Sequence, residues 1–205
     1  MKIKVCGMKD AQNIEALLAL SPDFMGFIFY EKSARFVGES LDEALLKSFP
    51  KHIKKVGVFV NASVDYILKM VKKYNLDYAQ LHGDEMPDFC KTLRSKGVGI
   101  IKAFGVDESF SFSKVYNYKA VCDFFLFDTK AQNHGGNGVA FDWQLLNKYD
   151  NEKPYFLAGG VDNQNISQLS SLKVMPYCLD INSKFEISPA FKDIEKIKEL
   201  KLNFI

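Results

Sequence analysis

The stretch that decides the fold reads Phe124-Phe-Leu-Phe-Asp128-Thr129-Lys130 and leads into His134-Gly-Gly-Asn-Gly138. An apolar run able to cross a sheet core ends in a carboxylate, and a glycine-rich loop follows. Strand packing does not call for a charge at that point, because burying an unpaired carboxylate is costly. Parallel barrels carry their reactive groups at such strand exits. Asp128 is therefore either a catalytic acid or a residue that caps the following turn, as Asp commonly does.

Short apolar runs alternate along the chain with longer segments whose apolar residues recur at helical spacing. We count eight such rounds in 205 residues. The predicted strands are 2–6, 24–29, 55–60, 78–81, 99–103, 124–128, 155–158 and 177–181. The predicted helices are 9–20, 40–49, 63–74, 86–96, 109–118, 141–149, 163–172 and 191–202.

Eight strand–helix rounds without a linker or repeat break predict an α/β fold, a single-domain (β/α)8 TIM barrel over residues 1–205. A doubly wound open sheet is the alternative. Such a sheet usually has fewer strands and a Gly-x-Gly-x-x-Gly turn after the first, whereas the first strand here ends in Cys6-Gly7-Met8. The barrel therefore fits the pattern better.

Composition excludes several classes of protein. The 47% apolar and 25% charged fractions and the net charge of +2 indicate a globular chain with no general attraction to nucleic acid or to a membrane surface. We expect a cytoplasmic protein, because the start of the chain lacks a signal-peptide pattern and no window approaches the roughly 20 apolar residues of a membrane span. The scattered cysteines, with no Cys-x-x-Cys pair, predict neither a zinc site nor a disulfide framework.

In a barrel, functional groups stand at the carboxyl ends of the strands. Reactive or hydrogen-bonding residues are concentrated at these predicted ends, whereas lysines and prolines dominate the opposite face. The ends read Cys6-Gly7, Phe29-Tyr30, Val60-Asn61, Gln80-Leu-His82-Gly83, Lys102-Ala-Phe104-Gly105, Asp128-Thr129-Lys130, Ala158-Gly159-Gly160 and Asp180-Ile-Asn182-Ser183. His82, Asp84 and Glu85 raise the question of a metal, but their spacing suits a helix cap better, so we expect no metal.

Seven ordered groups of residues along nearly the whole chain read as family motifs: Lys4-Val-Cys6-Gly7, Gly26-Phe-Ile-Phe-Tyr30 with Lys32-Ser-Ala-Arg35, Val56-Gly-Val-Phe-Val-Asn61, Gln80-Leu-His82-Gly83, Phe127-Asp128-Thr-Lys130 with Gly135-Gly-Asn-Gly138 and Phe141-Asp-Trp143, Leu157-Ala-Gly-Gly160, and Leu179-Asp180-Ile181. Together they closely resemble the phosphoribosylanthranilate isomerases of tryptophan biosynthesis. The resemblance implies a barrel of the ribulose-phosphate-binding type and a cofactor-independent aldose–ketose isomerase.

The implied reaction is the Amadori rearrangement of N-(5-phosphoribosyl)anthranilate to 1-(2-carboxyphenylamino)-1-deoxyribulose 5-phosphate. It needs an acid that protonates the ring oxygen and a base that removes the proton at C2′. Each such group typically contributes roughly 10²–10⁴ in rate. The resemblance implies Cys6 as the base and Asp128 as the acid.

Both groups need a suitable environment. We expect the phenylalanines between 124 and 127 to favour the neutral carboxyl of Asp128 by desolvation. For Cys6, the helix start at Met8-Lys9 or a nearby cation would favour the thiolate.

The implied substrate carries a carboxylate at one end and a phosphate at the other. The resemblance implies that Arg35 binds the carboxylate, which its guanidinium can hold in a bidentate way. A solvated surface arginine is the alternative. Phosphate is expected at the loops after strands seven and eight, on Gly159, Gly160, Asn182 and Ser183.

The last loop departs from the family pattern, because Lys184 replaces a glycine. Either Lys184 tolerates the same backbone geometry and adds charge toward the phosphate, or the loop is rebuilt. His82 is predicted to lie in the pocket without an assigned role. Gly135, Gly136 and Gly138 are either hinges of a mobile lid or an ordinary flexible connection.

Two rival functions are weighed against this reading. The related isomerase of the histidine pathway carries an aspartate at both catalytic strand ends and similar halves, which Cys6 and the dissimilar halves disfavour. A barrel that binds a phosphorylated metabolite without turning it over is disfavoured because Cys6 and Asp128 are both present. The sequence leaves open whether the chain is a monomer or a homodimer.

Overall fold

The computed structural model describes residues 1–38, 41–130 and 141–204. Within these ranges, eight parallel strands close into a barrel in which each strand pairs with the next and the last pairs with the first. This confirms the predicted barrel and excludes the open sheet. The strands are β1 (Lys2–Val5), β2 (Phe24–Ile28), β3 (Lys54–Phe59), β4 (Tyr78–Leu81), β5 (Gly99–Val106), β6 (Phe124–Thr129), β7 (Tyr155–Leu157) and β8 (Cys178–Ile181).

The helices are shorter than the sequence predicts. The α-helices are α1 (Ala11–Leu18), α2 (Glu43–Lys47), α3 (Val64–Tyr74), α4 (Pro87–Ser95) and α5 (Ile194–Phe204). The helices predicted after β5, β6 and β7 are instead three-ten segments, Phe112–Tyr118, Trp143–Lys148 and Ile166–Ser171. Serine, asparagine and aromatic residues, which have modest helix propensity, are frequent in these short segments. Among the helices of the described ranges, none is long and apolar enough to cross a membrane.

A short hairpin that the periodicity does not predict follows β8. Its strands, β9 (Glu186–Ser188) and β10 (Phe191–Lys192), pair antiparallel. The helix predicted from residue 191 therefore begins only at Ile194. The hairpin is tied to α1, because the Lys192 N–H donates to Asn13 Oδ1 at 2.7 Å and Asn13 Nδ2 donates to the Lys192 carbonyl at 2.9 Å.

Side chains that point into the barrel form an aromatic floor near its amino-terminal end. The ring of Phe156 lies 5.0 Å from that of Phe24 and 5.2 Å from that of Phe124, measured between centroids. Tyr78 extends the cluster, 5.8 Å from Phe124. These rings fill the lower barrel, so a cavity can form only toward the carboxyl ends of the strands.

A buried ion pair joins the middle of β5 to the loops that follow β3 and β4. Lys102 Nζ lies 3.2 Å from Glu85 Oε2, and the two side chains are only 3% and 2% exposed. Lys102 also donates to the Gly83 carbonyl at 2.7 Å. Glu85 accepts from the backbone N–H groups of Asn61 and Gly83 at 2.8 and 3.0 Å. Each charge is therefore bound by several groups, and the loop after β4 is held rigidly in place.

We expect Lys102→Met to lower the free energy of unfolding by about 3–5 kcal/mol, because it leaves the Glu85 carboxylate buried without its cation. Lys54→Met is the matched control, since Lys54 pairs with Asp77 at 3.3 Å between side chains that are 41% and 30% exposed. For the control we expect a loss of about 0–1 kcal/mol. Urea unfolding followed by circular dichroism measures both, and equal losses would contradict the prediction.

Candidate active site

A cavity of about 540 Å³ opens at the carboxyl ends of the barrel strands. It brings together most of the residues that the sequence predicts for the site: Cys6, His82, Asp128, Gly159, Gly160, Asn182 and Ser183. Arg35 is the exception, because it does not line the cavity. Residues from widely separated parts of the chain therefore meet at one face of the barrel, as strand-end positions require.

Cys6 directly follows β1 and is only 5% exposed. Its thiol occupies space that Gly26 leaves free, since a Cβ at position 26 would lie 2.7 Å from Cys6 Sγ. Burial raises the pKa of the Cys6 thiol, and the Lys4 ammonium opposes that rise. The helix α1 begins only at Ala11, after its Asp10 cap, and not at Met8-Lys9. Of the two alternatives that the sequence predicts for Cys6, the structure therefore supports the nearby cation, which is Lys4.

Asp128 enters the cavity from β6. Alternation along the strand turns Phe124 and Asp128 inward, whereas Phe125 and Phe127 point outward into the main core. These two rings therefore do not surround the carboxyl, contrary to the sequence expectation. The Asp128 side chain is 21% exposed, and its Oδ1 accepts from the Thr129 N–H at 2.8 Å.

His82 lies between Gln80 and Asp128. Its Nδ1 is 3.1 Å from Gln80 Nε2, and its Nε2 is 3.4 Å from Asp128 Oδ2. When the Gln80 amide donates to Nδ1, the neutral imidazole carries its proton on Nε2, facing the carboxyl. Gln80 is not among the predicted site residues, although alternation along β4 places residues 80 and 82 on one face.

Arg35 is held by a carboxylate of the protein itself. Its Nε lies 2.9 Å from Glu186 Oε1, and its Nη2 lies 2.6 Å from Glu186 Oε2. Lys192 Nζ binds the same carboxylate at 2.5 Å. Burial alone would raise the pKa of Glu186, but Arg35 and Lys192 together hold it below its ordinary value. The residue predicted to bind a ligand carboxylate is thus a guanidinium with one edge already occupied.

Gly159 and Gly160 follow β7 and both have positive φ, 80° and 69°. A Cβ at position 159 would lie 2.5 Å from the Thr129 backbone nitrogen and 2.7 Å from Asp128 Oδ1. Only glycine therefore fits at position 159, where the backbone passes close to Asp128 and Thr129.

The loop after β8 forms a three-ten turn, Ser183–Phe185, on the cavity wall. Lys184 lines the cavity in this turn, and its carbonyl accepts from Lys196 Nζ at 2.6 Å. Asn182 accepts from Lys192 Nζ at 2.7 Å through its Oδ1. The cavity wall thus carries an exposed lysine where the family pattern has glycine.

Two other sequence predictions concern the rim of the cavity. The candidate hinges Gly135, Gly136 and Gly138 lie outside the described residues, so a lid stays a prediction. Glu85, which the sequence raises as a possible metal ligand, forms an ion pair with Lys102 instead. In the described part of the chain, no cluster of three or more His, Cys, Asp or Glu side chains is arranged to hold a metal ion.

Comparison with known proteins narrows the class. The sequence model of one family, described as N-(5'phosphoribosyl)anthranilate (PRA) isomerase, matches residues 3–202. An N-(5'-phosphoribosyl)anthranilate isomerase from Parabacteroides distasonis is 42% identical over 100% of this chain and 92% of its own.

Solved structures agree with the sequence comparison. Phosphoribosyl anthranilate isomerase from Thermotoga maritima is 30% identical, with a TM-score of 0.88 over 99% of this chain and 98% of that one. A phosphoribosyl anthranilate isomerase in complex with reduced 1-(o-carboxyphenylamino)-1-deoxyribulose 5-phosphate is 27% identical, with a TM-score of 0.81 over 97% and 95% of the two chains.

A closed (β/α)8 barrel with a thiol, a carboxyl and an imidazole around one cavity at its strand ends defines a barrel enzyme. The matches over nearly the full length of the chain define it more narrowly. The chain belongs to the N-(5'-phosphoribosyl)anthranilate isomerase family. The resemblance seen in the sequence is thereby confirmed over the histidine-pathway alternative.

We expect Gly159→Ala to destabilise the fold more than Gly97→Ala. Both glycines have φ near 80°, but a Cβ at position 97 meets no atom within 4 Å, whereas one at 159 meets backbone. Left-handed strain alone costs about 1–2 kcal/mol, which is the loss we expect for Gly97→Ala. Urea unfolding of the two variants measures the difference, and a loss for Gly159→Ala no larger than that of Gly97→Ala would refute the steric argument.

Proposed function

We propose that this chain converts N-(5'-phosphoribosyl)anthranilate into 1-(2-carboxyphenylamino)-1-deoxyribulose 5-phosphate, with Cys6 as the base and Asp128 as the acid. Family membership supports the reaction. The observation that carries the two roles is that the thiol and the carboxyl line one cavity from different sides of the barrel, after β1 and on β6. A sugar bound between them meets one proton donor and one proton acceptor.

The rearrangement moves protons without a net gain or loss. Asp128 gives its proton to the furanose ring oxygen as the bond between that oxygen and C1′ breaks, which leaves a Schiff base. Cys6 removes the proton at C2′, and the electron pair forms an enolamine that tautomerises to the ketone. All redox change stays within the substrate, so the proposal needs no cofactor. Each group supplies roughly 10²–10⁴ in rate.

Two donors near Asp128 can stabilise the carboxylate that remains once it has given its proton to the substrate. The Thr129 N–H lies 2.8 Å from Oδ1, and His82 Nε2 lies 3.4 Å from Oδ2. Hydrogen bonds to the charged form stabilise a carboxylate. We therefore assign His82 to the stabilisation of the ionised acid, with Gln80 holding its tautomer.

The two anionic ends of the substrate are assigned to different loops. We place the phosphate at Gly159, Gly160, Asn182 and Ser183, where the loops after β7 and β8 line the cavity and the two glycines let backbone approach a ligand closely. Lys184 adds a positive charge to the same wall. Arg35 is proposed to bind the anthranilate carboxylate through the edge that Glu186 leaves open.

We further propose that residues 1–205 act as one catalytic domain in the cytoplasm, as a monomer or homodimer. The size of the chain suits a single core. Light scattering after size-exclusion chromatography measures the oligomeric state directly.

We expect Cys6→Ser and Asp128→Asn each to lower kcat by about 10²-fold or more, because each removes one proton-transfer group. The decay of anthranilate fluorescence from freshly made substrate measures turnover. Cys90→Ser and Asp65→Asn are the matched controls, since Cys90 is buried in the outer core and Asp65 is exposed on α3. Near-normal kcat in a folded Cys6→Ser or Asp128→Asn variant would remove that residue's role.

We expect Arg35→Lys to raise KM about tenfold or more with a smaller change in kcat, because lysine cannot bridge Glu186 and a ligand carboxylate together. Arg94→Lys is the control, since Arg94 lies on α4 and donates to the Ala120 carbonyl at 3.1 Å. Steady-state kinetics of both variants test the assignment. An unchanged KM in Arg35→Lys would show that the arginine serves only to bind Glu186.

A further inference from the structure

A buried charge pair that the proposed chemistry does not use lies inside the barrel, and one of its members, Asp180, lines the cavity. Lys4 Nζ is 2.7 Å from Asp180 Oδ2, and the side chains are 0% and 6% exposed. The two residues stand directly opposite each other where β1 pairs with β8. Asp180 Oδ1 is buried and has no hydrogen-bond partner among the described residues. Lys4 therefore supplies the one hydrogen bond found on this carboxylate.

Lys4 also faces the thiol of Cys6. Residues 4 and 6 point to the same side of the chain, and their side chains converge above Gly26. A Cβ built at Gly26 would lie 2.7 Å from Cys6 Sγ and 3.2 Å from Lys4 Cε. The ammonium of Lys4 thus lies between the Asp180 carboxylate and the Cys6 thiol, and its positive charge stabilises the ionised form of each.

The electrostatic environment agrees with this geometry. Burial lowers the pKa of Lys4, but Asp180 and Cys6 outweigh burial and raise it, so Lys4 stays charged. Burial raises the pKa of Cys6; Lys4 lowers it and Asp180 raises it further. Burial likewise raises the pKa of Asp180, against the effect of Lys4.

Other charged or titratable groups face this trio from the neighbouring elements, and most have partners of their own. They are Lys192 on β10 toward Cys6, Asp128 on β6 and His82 after β4 toward Asp180, and Cys178 on β8 toward Lys4 and Asp180. Lys192 is bound to Glu186 and Asn182 at 2.5 and 2.7 Å. Among the described residues named here, Lys4 is therefore the lysine that interacts with both Asp180 and Cys6.

We propose that Lys4 is a positioning residue whose single positive charge is shared between Asp180 and Cys6. While Cys6 is a thiol, the ammonium binds Asp180 alone. When Cys6 ionises, the ammonium is shared between Asp180 and the thiolate. The use of that thiolate as a base rests on the proposed function; the sharing of the charge does not. Asp180 and Lys4 then act on Cys6 with opposite sign, although each is the other's partner.

The rate of Cys6 alkylation by iodoacetamide as a function of pH tests the proposal, because the thiolate is the reacting form. Mass spectrometry of the Cys6 peptide reads the rate separately from that of the other thiols. We expect Asp180→Asn to lower the midpoint of this profile by about one pH unit or more, and Lys4→Met to raise it by a similar amount. Asp84→Asn, an exposed carboxylate at the cavity rim, is expected to leave the midpoint unchanged.

Opposite shifts support charge sharing, whereas shifts of the same sign in both variants indicate disturbed packing and overturn it. An unchanged midpoint in Asp180→Asn also overturns it. Lys4→Met leaves Asp180 buried without a cation and risks misfolding, so Lys4→Met/Asp180→Asn serves as the second variant, with a midpoint expected above that of Asp180→Asn. No substrate enters this assay, so a failed isomerase assay with the expected shifts would reject the proposed function alone.

Discussion

The ion pair between Lys4 and Asp180 sets the register in which the barrel closes. The two residues lie opposite each other on the first and last strands. A slip of one residue would turn one charge to the outer face and leave the other buried alone, which is costly inside a protein. The same register brings Cys6 and Asn182 to the rim, because each lies two residues beyond a member of the pair. The positions of the reactive groups thus depend on the need to keep these two buried charges paired.

Polarity changes in steps along the barrel axis. The aromatic floor excludes water from the lower end, and in such a low-dielectric setting charges interact more strongly than in water. Lys4 and Asp180 occupy the middle layer, in which Asp180 lines the base of the cavity, and Cys6 and Asp128 line the same cavity. The electrostatic environment of the thiol therefore depends on the charge pair. The strength of the charge pair depends in turn on the exclusion of water by the aromatic floor.

Local patterns predict much of the fold, because the alternation of a strand and the period of a helix are written into neighbouring residues. The eight strands and the strand-end positions of Cys6 and Asp128 were predicted on that basis. Lys4 could have been found in the same way, as a charge inside a buried strand that requires a partner. The ion pair between Arg35 and Glu186 could not be found in this way, because 151 residues separate the two. The β9–β10 hairpin that carries Glu186 also has too few residues to show a period.

The contacts of Arg35 have a consequence for which ligands this end of the barrel accepts. Arg35 and Lys192 bring two positive charges to one carboxylate, Glu186, so the cluster carries a net charge of +1. One carboxylate from a ligand brings the cluster to neutrality, whereas a doubly charged group would leave an unbalanced negative charge in partly buried surroundings. We therefore expect charge balance, in addition to shape, to favour a monoanion over a dianion beside Arg35.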